Sequence, residues 1–280
     1  MKIASIDIGT NAIKSKIFKT TPASIEFVQG IRSPIRLGSD VFNQGNLSES
    51  KLDQVIKTIR EYEEIFTQNL ITQYEIVATS AFRDTENSED ARRYIETAIN
   101  RPLRVISGLE EAKLIRFHPK SNTGKNKIFV DLGGGSTEFF IRNNEDTVIR
   151  SFQLGAVRNL LGKDEKQEWN RLEEWLQSIK PKKKLIGIGG NIRSFLNAHK
   201  AKDMSMNEFR KKVEKLSKLT TEEKIKKYAF SPDRADVIDH AGSIYLFIMK
   251  SLGIQKMIVP ESGLPDGIIR ELYKNYLDTN

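Results

Sequence analysis

The sequence predicts an α/β protein of two related halves, and three observations carry that expectation. Apolar runs of strand length alternate with longer runs of helical period along 280 residues, enough chain for two domains with separate cores. An apolar strand followed by an acid, glycine and hydroxyl donors occurs twice, at Ile6-Asp7-Ile8-Gly9-Thr10-Asn11 and at Val130-Asp131-Leu132-Gly133-Gly134-Gly135-Ser136-Thr137-Glu138. Between them lies a polar stretch, 118–126, containing Pro119, Asn122 and Gly124. It is the best domain boundary in the chain, dividing residues 1–118 from 119–280, with the final helix (264–277) placed to pack back on the first domain.

Taken in order, residues 3–19 predict a hairpin turning at Gly9-Thr10-Asn11. Residues 25–37 give more strand, ending in Pro34-Ile35-Arg36-Leu37. Ser48 caps a helix whose Leu52, Val55, Ile56, Ile59, Tyr62 and Phe66 recur on one face. Residues 74–78 form a strand, and Thr79-Ser80-Ala81-Phe82-Arg83 leaves its carboxyl end. A helix over 90–98, a short strand over 103–106 and a helix opening at Ser107 complete the first half. In the second half, 128–131, 139–141 and 148–154 read as three antiparallel strands, and Gly155 to Arg158 ends the meander. The helix over 165–179 turns Trp169, Leu172, Trp175 and Leu176 inward as core. A buried strand at 185–188 runs into Gly189-Gly190-Asn191 and a helix. Polar helices over 205–228, a long helix over 233–252 and a last strand over 256–260 precede the final helix.

Composition narrows the chemistry. Apolar residues make up 38% and charged residues 29%, the balance of a soluble globular chain. No apolar run approaches the ~20 residues of a membrane span, and no signal-peptide layout is expected before the strand-like Ile3-Ala4-Ser5-Ile6. Cysteine is absent, which excludes disulfides, thiol nucleophiles and zinc–thiolate sites and makes a cytoplasmic location the expectation. His118, His199 and His240 have no metal-binding spacing. The net charge of +8 favours polyanions. Nucleic acid, nucleotides, polyphosphate and acidic membrane all satisfy it. The sharpest basic run, Lys180-Pro181-Lys182-Lys183-Lys184, reads as a solvated loop before a strand.

The strongest chemical signal is the second acid–glycine loop. Gly133, Gly134 and Gly135 let backbone approach a ligand closely, and Ser136 and Thr137 add donors for phosphate oxygens. Asp131 and Glu138 bracket the loop with the oxygen ligands that a hard cation prefers. The simpler account is a hairpin turn with incidental acids. Arg83, beyond a strand end, is either a phosphate clamp or a surface arginine paired with Asp84 or Glu86. Glu110 and Glu111 open a helix, where complementing the helix dipole is a simpler role than general base. Gly190 and Asn191 sit at a strand–helix junction of the kind that binds phosphate, although such glycines also serve tight packing.

Six segments in order resemble the exopolyphosphatase / guanosine pentaphosphate phosphohydrolase (Ppx/GppA) family over nearly the whole chain. They are Asp7-Ile8-Gly9-Thr10-Asn11, Ala78 to Arg83, Ile106 to Ala112, Asp131 to Glu138, Leu154 to Arg158, and Arg234-Ala235-Asp236. The resemblance implies a duplicated ribonuclease H-like, actin-like ATPase / sugar kinase / heat-shock chaperone fold with phosphates held in the cleft between domains. It implies that Glu111 is the catalytic base and Arg83 a phosphate-binding arginine. It makes Gly133 to Ser136 the phosphate loop, places Asp7, Gly9, Thr10 and Asn11 in a first phosphate loop, and gives Asp131 and Glu138 to magnesium or another divalent cation. Thr10 stands where serine is usual, Asn191 where threonine is common, and Pro265 where arginine is frequent. The chain resembles the short members, without added helical domains.

The expected reaction is hydrolysis of a terminal phosphoanhydride in polyphosphate or guanosine pentaphosphate. The expected partners are these polyanions, with neither nucleic acid nor membrane among them, and a second copy of the chain in a homodimer. Two other readings stay open: an ATP-dependent kinase or ATPase of the same fold, and a weakly catalytic alarmone or polyphosphate sensor.

Overall fold

The computed structural model describes residues 1–21, 24–118, 126–143 and 146–279. The expected linker, 118–126, lies apart from its two ends outside the described residues. The chain divides into two compact units, Met1–His118 with Leu264–Asn280, and Pro119–Gly263.

The first unit is built on a five-stranded sheet in the order β3-β2-β1-β4-β5. Strand β1 (Lys2–Ile8) is buried along Ile3, Ala4, Ile6 and Ile8 and occupies the centre. It pairs antiparallel with β2 (Ile13–Thr21), which pairs antiparallel with β3 (Ser24–Ser33). On the other side β1, β4 (Gln73–Ala78) and β5 (Arg104–Val105) run parallel, so their carboxyl ends share one edge. Helix α2 (Glu49–Gln68) starts where Ser48 Oγ accepts the Lys51 N–H, 3.3 Å away. Its Leu52, Val55, Ile56, Ile59, Tyr62 and Phe66 are buried, each stabilising the fold by roughly 1.5–3 kcal/mol. The last helix, α13 (Leu264–Thr279), belongs to this unit. Its Ile269 and Tyr273 pack on Ile3 and Phe18, and its Ile268 packs on Val77, Ile106 and Leu114.

The second unit carries a six-stranded sheet, β10-β11-β9-β6-β7-β8. Strands β6 (Lys127–Leu132), β7 (Thr137–Asn143) and β8 (Asp146–Phe152) form an antiparallel meander. Strands β9 (Lys184–Ile188) and β11 (Lys256–Ile258) add parallel to β6, and β10 (Asp203–Ser205) closes the edge antiparallel. Helix α7 (Lys166–Ser178) places Trp175 against Phe139 and Phe152 at ring separations of 4.8 and 5.6 Å. Both tryptophans make ring contacts within the fold, Trp169 with Phe247.

The order β8-β7-β6-β9-β11 repeats β3-β2-β1-β4-β5 strand for strand, with the same antiparallel and parallel relations. The two acid–glycine loops thus occupy equivalent places, each following the central strand. This is the duplication that the repeated loop suggested, in the ribonuclease H-like, actin-like architecture that the family resemblance implied.

Local details depart from the sequence reading. Residues 34–37 are not strand. They lead into a short helix, α1 (Gly38–Gln44), that ends at Gly45 with φ 79°. Gly155, read from the sequence only as the start of the segment ending the meander, opens another short helix, α6 (Ala156–Leu160). The long helix expected over 233–252 is two: a single turn, α11 (Pro232–Ala235), then α12 (Ile238–Ser251). Arg234, in the first of the two, is buried at 7% exposure. Within the basic run, Lys182 is buried and its pKa is lowered by desolvation, so that position is not a solvated loop residue.

Candidate active site

In the first unit, every singled-out residue lies at the shared carboxyl edge of β1, β4 and β5, where open α/β sheets collect ligands. The hairpin after β1 is tied tightly. Gly9 N–H donates to the Ala12 carbonyl at 3.1 Å, and a side chain at Gly9 would meet that oxygen at 3.1 Å. Thr10 Oγ1 and Ser80 Oγ share a hydrogen bond of 2.6 Å, joining the hairpin to the turn after β4, α3 (Ser80–Arg83). Asp7 is buried and paired with Lys14 Nζ at 3.2 Å.

A residue missed in the sequence reading locks this hairpin. Arg36 takes a left-handed φ of 50°, a conformation that costs a non-glycine residue ~1 kcal/mol or more. In return its N–H donates to the Asn11 carbonyl at 3.1 Å and its Nε to Asn11 Oδ1 at 3.0 Å. Gly38 N–H adds a bond to the Thr10 carbonyl at 2.9 Å. The partners are 25 residues apart, so no local pattern exposes them.

The two glutamates at the start of α5 (Gly108–Leu114) divide the roles weighed above. Glu110 completes a capping box with Ser107, and these hydrogen bonds hold its pKa below the usual glutamate value. Glu111, one helical step (~100°) round, points inward and is 8% exposed. Burial pushes its pKa up; the Arg83 guanidinium pulls against that, and the nearby Asp7 charge adds to it. Arg83 Nη1 donates to Glu111 Oε2 and to the Ile106 carbonyl, both at 2.9 Å. Arg83 therefore pairs with the buried Glu111, an ion pair turned into the protein. A buried carboxylate with a raised pKa, oriented by an arginine beside a second acid, is the profile of a general base.

In the second unit the Asp131–Glu138 loop is a β-hairpin, and the two acids are direct cross-strand partners. Residues 133–136 form its turn, closed by Gly133 N–H donating to the Ser136 carbonyl at 3.0 Å. None of the three glycines takes a left-handed φ. Their carbonyls instead tie the turn to the segment that follows β8. The Gly133 carbonyl accepts Ala156 N–H, and the Gly134 carbonyl accepts the N–H groups of Val157 and Arg158, at 2.8–3.1 Å. The Gly135 carbonyl accepts Arg158 Nε at 3.0 Å. The loop's negative dipole ends are therefore tied to the start of α6, which leaves an anion-friendly outer side. A side chain at Gly155 would lie 2.5 Å from Gly134 and Gly135 backbone atoms. Thr137 Oγ1 is turned inward to the Leu154 carbonyl at 2.5 Å, and Ser136 is buried.

Asp131 and Glu138 are 8% and 1% exposed, and Ser151 Oγ donates to Glu138 Oε1 at 2.9 Å. Two buried carboxylates side by side are costly without a cation between or before them. The donor set fits magnesium, which takes one or two protein carboxylates and fills its remaining positions with water and substrate phosphate. Among the described residues no cluster of three or more acids, histidines or cysteines offers an alternative metal cage.

The third glycine junction follows β9. Gly189 has φ 100°, and a side chain there would meet Asp131 Oδ1 at 2.9 Å, so Gly189 is the glycine that approaches the acid pair. Gly190 lies against Arg234, where a side chain would come within 2.7 Å of Nη2. Asn191 is buried; its Oδ1 accepts from Arg234 and its Nδ2 donates to the Leu132 carbonyl at 3.4 Å. Gly190 and Asn191 thus have packing roles that brace the strand end carrying Asp131.

Comparisons with known proteins bear on the fold and the family. The Ppx/GppA phosphatase family matches residues 16–276. A crystal structure of a family member from Aquifex aeolicus superposes with a TM-score of 0.77 at 22% identity, covering 100% of this chain and 99% of that one. An exopolyphosphatase structure from Cytophaga hutchinsonii gives 0.84 at 20% identity, covering 98% of each chain. An exopolyphosphatase-like protein gives 0.83 at 24% identity, covering 99% and 98%. These likenesses are to the fold, while the family match is to the sequence itself and runs through both units: the chain belongs to the Ppx/GppA phosphatase family.

Proposed function

We propose that the protein hydrolyses the terminal phosphoanhydride of inorganic polyphosphate or of guanosine pentaphosphate, with Glu111 as general base. The observation that carries this reading is the Glu111–Arg83 pair: a buried carboxylate of raised pKa whose one oxygen is fixed by a guanidinium. Glu111 accepts a proton from the attacking water. Arg83 holds Glu111 in place and brings a guanidinium charge to the phosphate oxygens. The hairpin at Asp7, Gly9, Thr10 and Asn11 and the turn at 133–136 would offer backbone N–H donors to phosphate, while the Thr137 hydroxyl is committed to the Leu154 carbonyl and serves the loop's own structure. Asp131 and Glu138 would hold a magnesium ion or another divalent cation, whose charge neutralises phosphate oxygens. Phosphoryl transfer needs little from a protein beyond such positioning and charge stabilisation.

Phosphate release from polyphosphate, guanosine pentaphosphate and ATP, each with and without magnesium, tests the proposal. Magnesium-dependent release from either of the first two supports it. Turnover of ATP alone favours the kinase or ATPase reading, and binding without turnover favours a sensor. Among the described residues no helix is long and apolar enough to cross a membrane.

A further inference from the structure

The basic run at Lys180–Lys184 has no part in the loops above, yet the sheet gives it company. Lys184 opens β9 and lies between Lys127 of β6 and Lys256 of β11 as the direct cross-strand partner of both. All three therefore project from the same face of the sheet. Phe129 and Phe140 are paired on β6 and β7, so the next same-face positions outward are Lys127 and Arg142. Lys127 Nζ sits 5.3 Å from the Phe129 ring centre, which fixes the face. Four adjacent strands thus set Arg142, Lys127, Lys184 and Lys256 in one line, spaced by ~4.8 Å and ~14 Å long.

Like charges directly opposite one another weaken a sheet. Here the row stands at the amino ends of β6, β9 and β11, four residues (~13 Å) down the strand from Asp131. The backbone holds it there: the N–H groups of Lys183 and Lys184 both donate to the Asn126 carbonyl, at 3.0 and 3.3 Å. Arg142, Lys184 and Lys256 are exposed. Lys256 also meets Asp203 at 3.0 Å, but both partners are about half exposed, and such surface pairs exchange readily for another anion. A nucleoside phosphate carries its charge at one end and engages one or two of these cations. A linear polyanion engages all four.

We propose that this row is an anchoring site for the distal part of an inorganic polyphosphate chain, separate from the residues that act on its terminus. The choice of polyphosphate over other polyanions rests on the function proposed above; the geometry alone calls for a linear chain of closely spaced charges.

The test is fluorescence anisotropy with end-labelled long-chain polyphosphate, in saturating tripolyphosphate so that the catalytic loops are occupied. Wild type is compared with R142Q/K184Q/K256Q over a range of salt. The triple variant is expected to bind at least tenfold more weakly, with a log–log salt slope shallower by about 2–3, as loss of three phosphate contacts requires. The variant R142K/K184R/K256R is expected to retain binding, which separates lost charge from lost fold. Unchanged affinity and slope in the glutamine variant overturn the proposal. So does equal binding of single-stranded RNA of matched charge, which marks a patch without preference for polyphosphate. Binding is read without turnover, so an absence of phosphate release rejects the proposed reaction and leaves this result standing.

Discussion

Gly155→Ala isolates the role of the glycine loop. Gly155 has φ −152°, which alanine adopts without strain, so the effect is steric alone. The added Cβ would lie 2.5 Å from Gly134 C and O and Gly135 N, all backbone atoms that cannot rotate away. Reaching an ordinary contact of 3.4 Å requires the loop and α6 to separate by about 0.9 Å. Overpacking of this kind costs roughly 1–3 kcal/mol, a fall in Tm of roughly 2–12 °C for a unit of this size. The catalytic cost is larger in proportion, because a ~1 Å misplacement of a binding group lowers rates ~10²-fold. The assay is steady-state phosphate release beside thermal unfolding. Gly133→Ala is the control for stability: its Cβ meets nothing nearer than the Ser136 carbonyl at 3.4 Å, and its Tm loss is expected to be under ~1 kcal/mol equivalent. A Gly155→Ala protein with wild-type Tm and rate would refute the claim that the carbonyl ties to α6 set the loop's position.

Other outcomes follow from the same geometry. Glu111→Gln is expected to lower kcat by ~10²–10⁴-fold with little change in KM. Wild-type activity should fall as pH drops through a Glu111 pKa above the ordinary glutamate value, since the base must be ionised. Stability moves the opposite way. A carboxyl whose folded pKa is raised binds more protons folded than unfolded, so its contribution is lost as pH rises from the unfolded value through the folded one. The Tm of Glu111→Gln relative to wild type should therefore climb over that window, and a flat difference would contradict a raised pKa. Arg36→Ala removes the Nε bond to Asn11 while keeping a strained φ, and kcat/KM is expected to fall at least tenfold, measured with the same substrates. Glu138→Gln should raise the magnesium concentration for half-maximal activity severalfold, and an unchanged magnesium titration would remove Glu138 from the cation site.

The sheets were legible because their signal is long and local. Buried strands at 3–8, 74–78, 128–132 and 185–188 are short, largely apolar runs, and the acid near the end of two of them, Asp7 and Asp131, exposed the duplication. Helices α1 and α6, at 7 and 5 residues, are too short to show a period, which is why both were missed. The break at Asp236–Val237 was hidden because apolar spacing continues across it. At the site, sequence spacing singled out Glu110 and Glu111 together but could not divide them. The division depends on which carboxylate reaches the Ser107 cap and which turns toward Arg83. Gly190 stood out in the sequence, whereas Gly189 is the residue with a left-handed φ beside Asp131. Arg36 was invisible because its partner is distant in sequence.

The pairing of Asp131 with Glu138 across a four-residue turn sets a rule for how this segment can vary over generations. Side chains alternate faces along a strand, so one added or deleted residue in the turn carries Glu138 to the opposite face from Asp131. Substitution at 133–136 changes how the turn fits; a change in length dismantles the acid pair outright. Among descendants of this gene that still work, the turn can drift in spelling but is held to four letters.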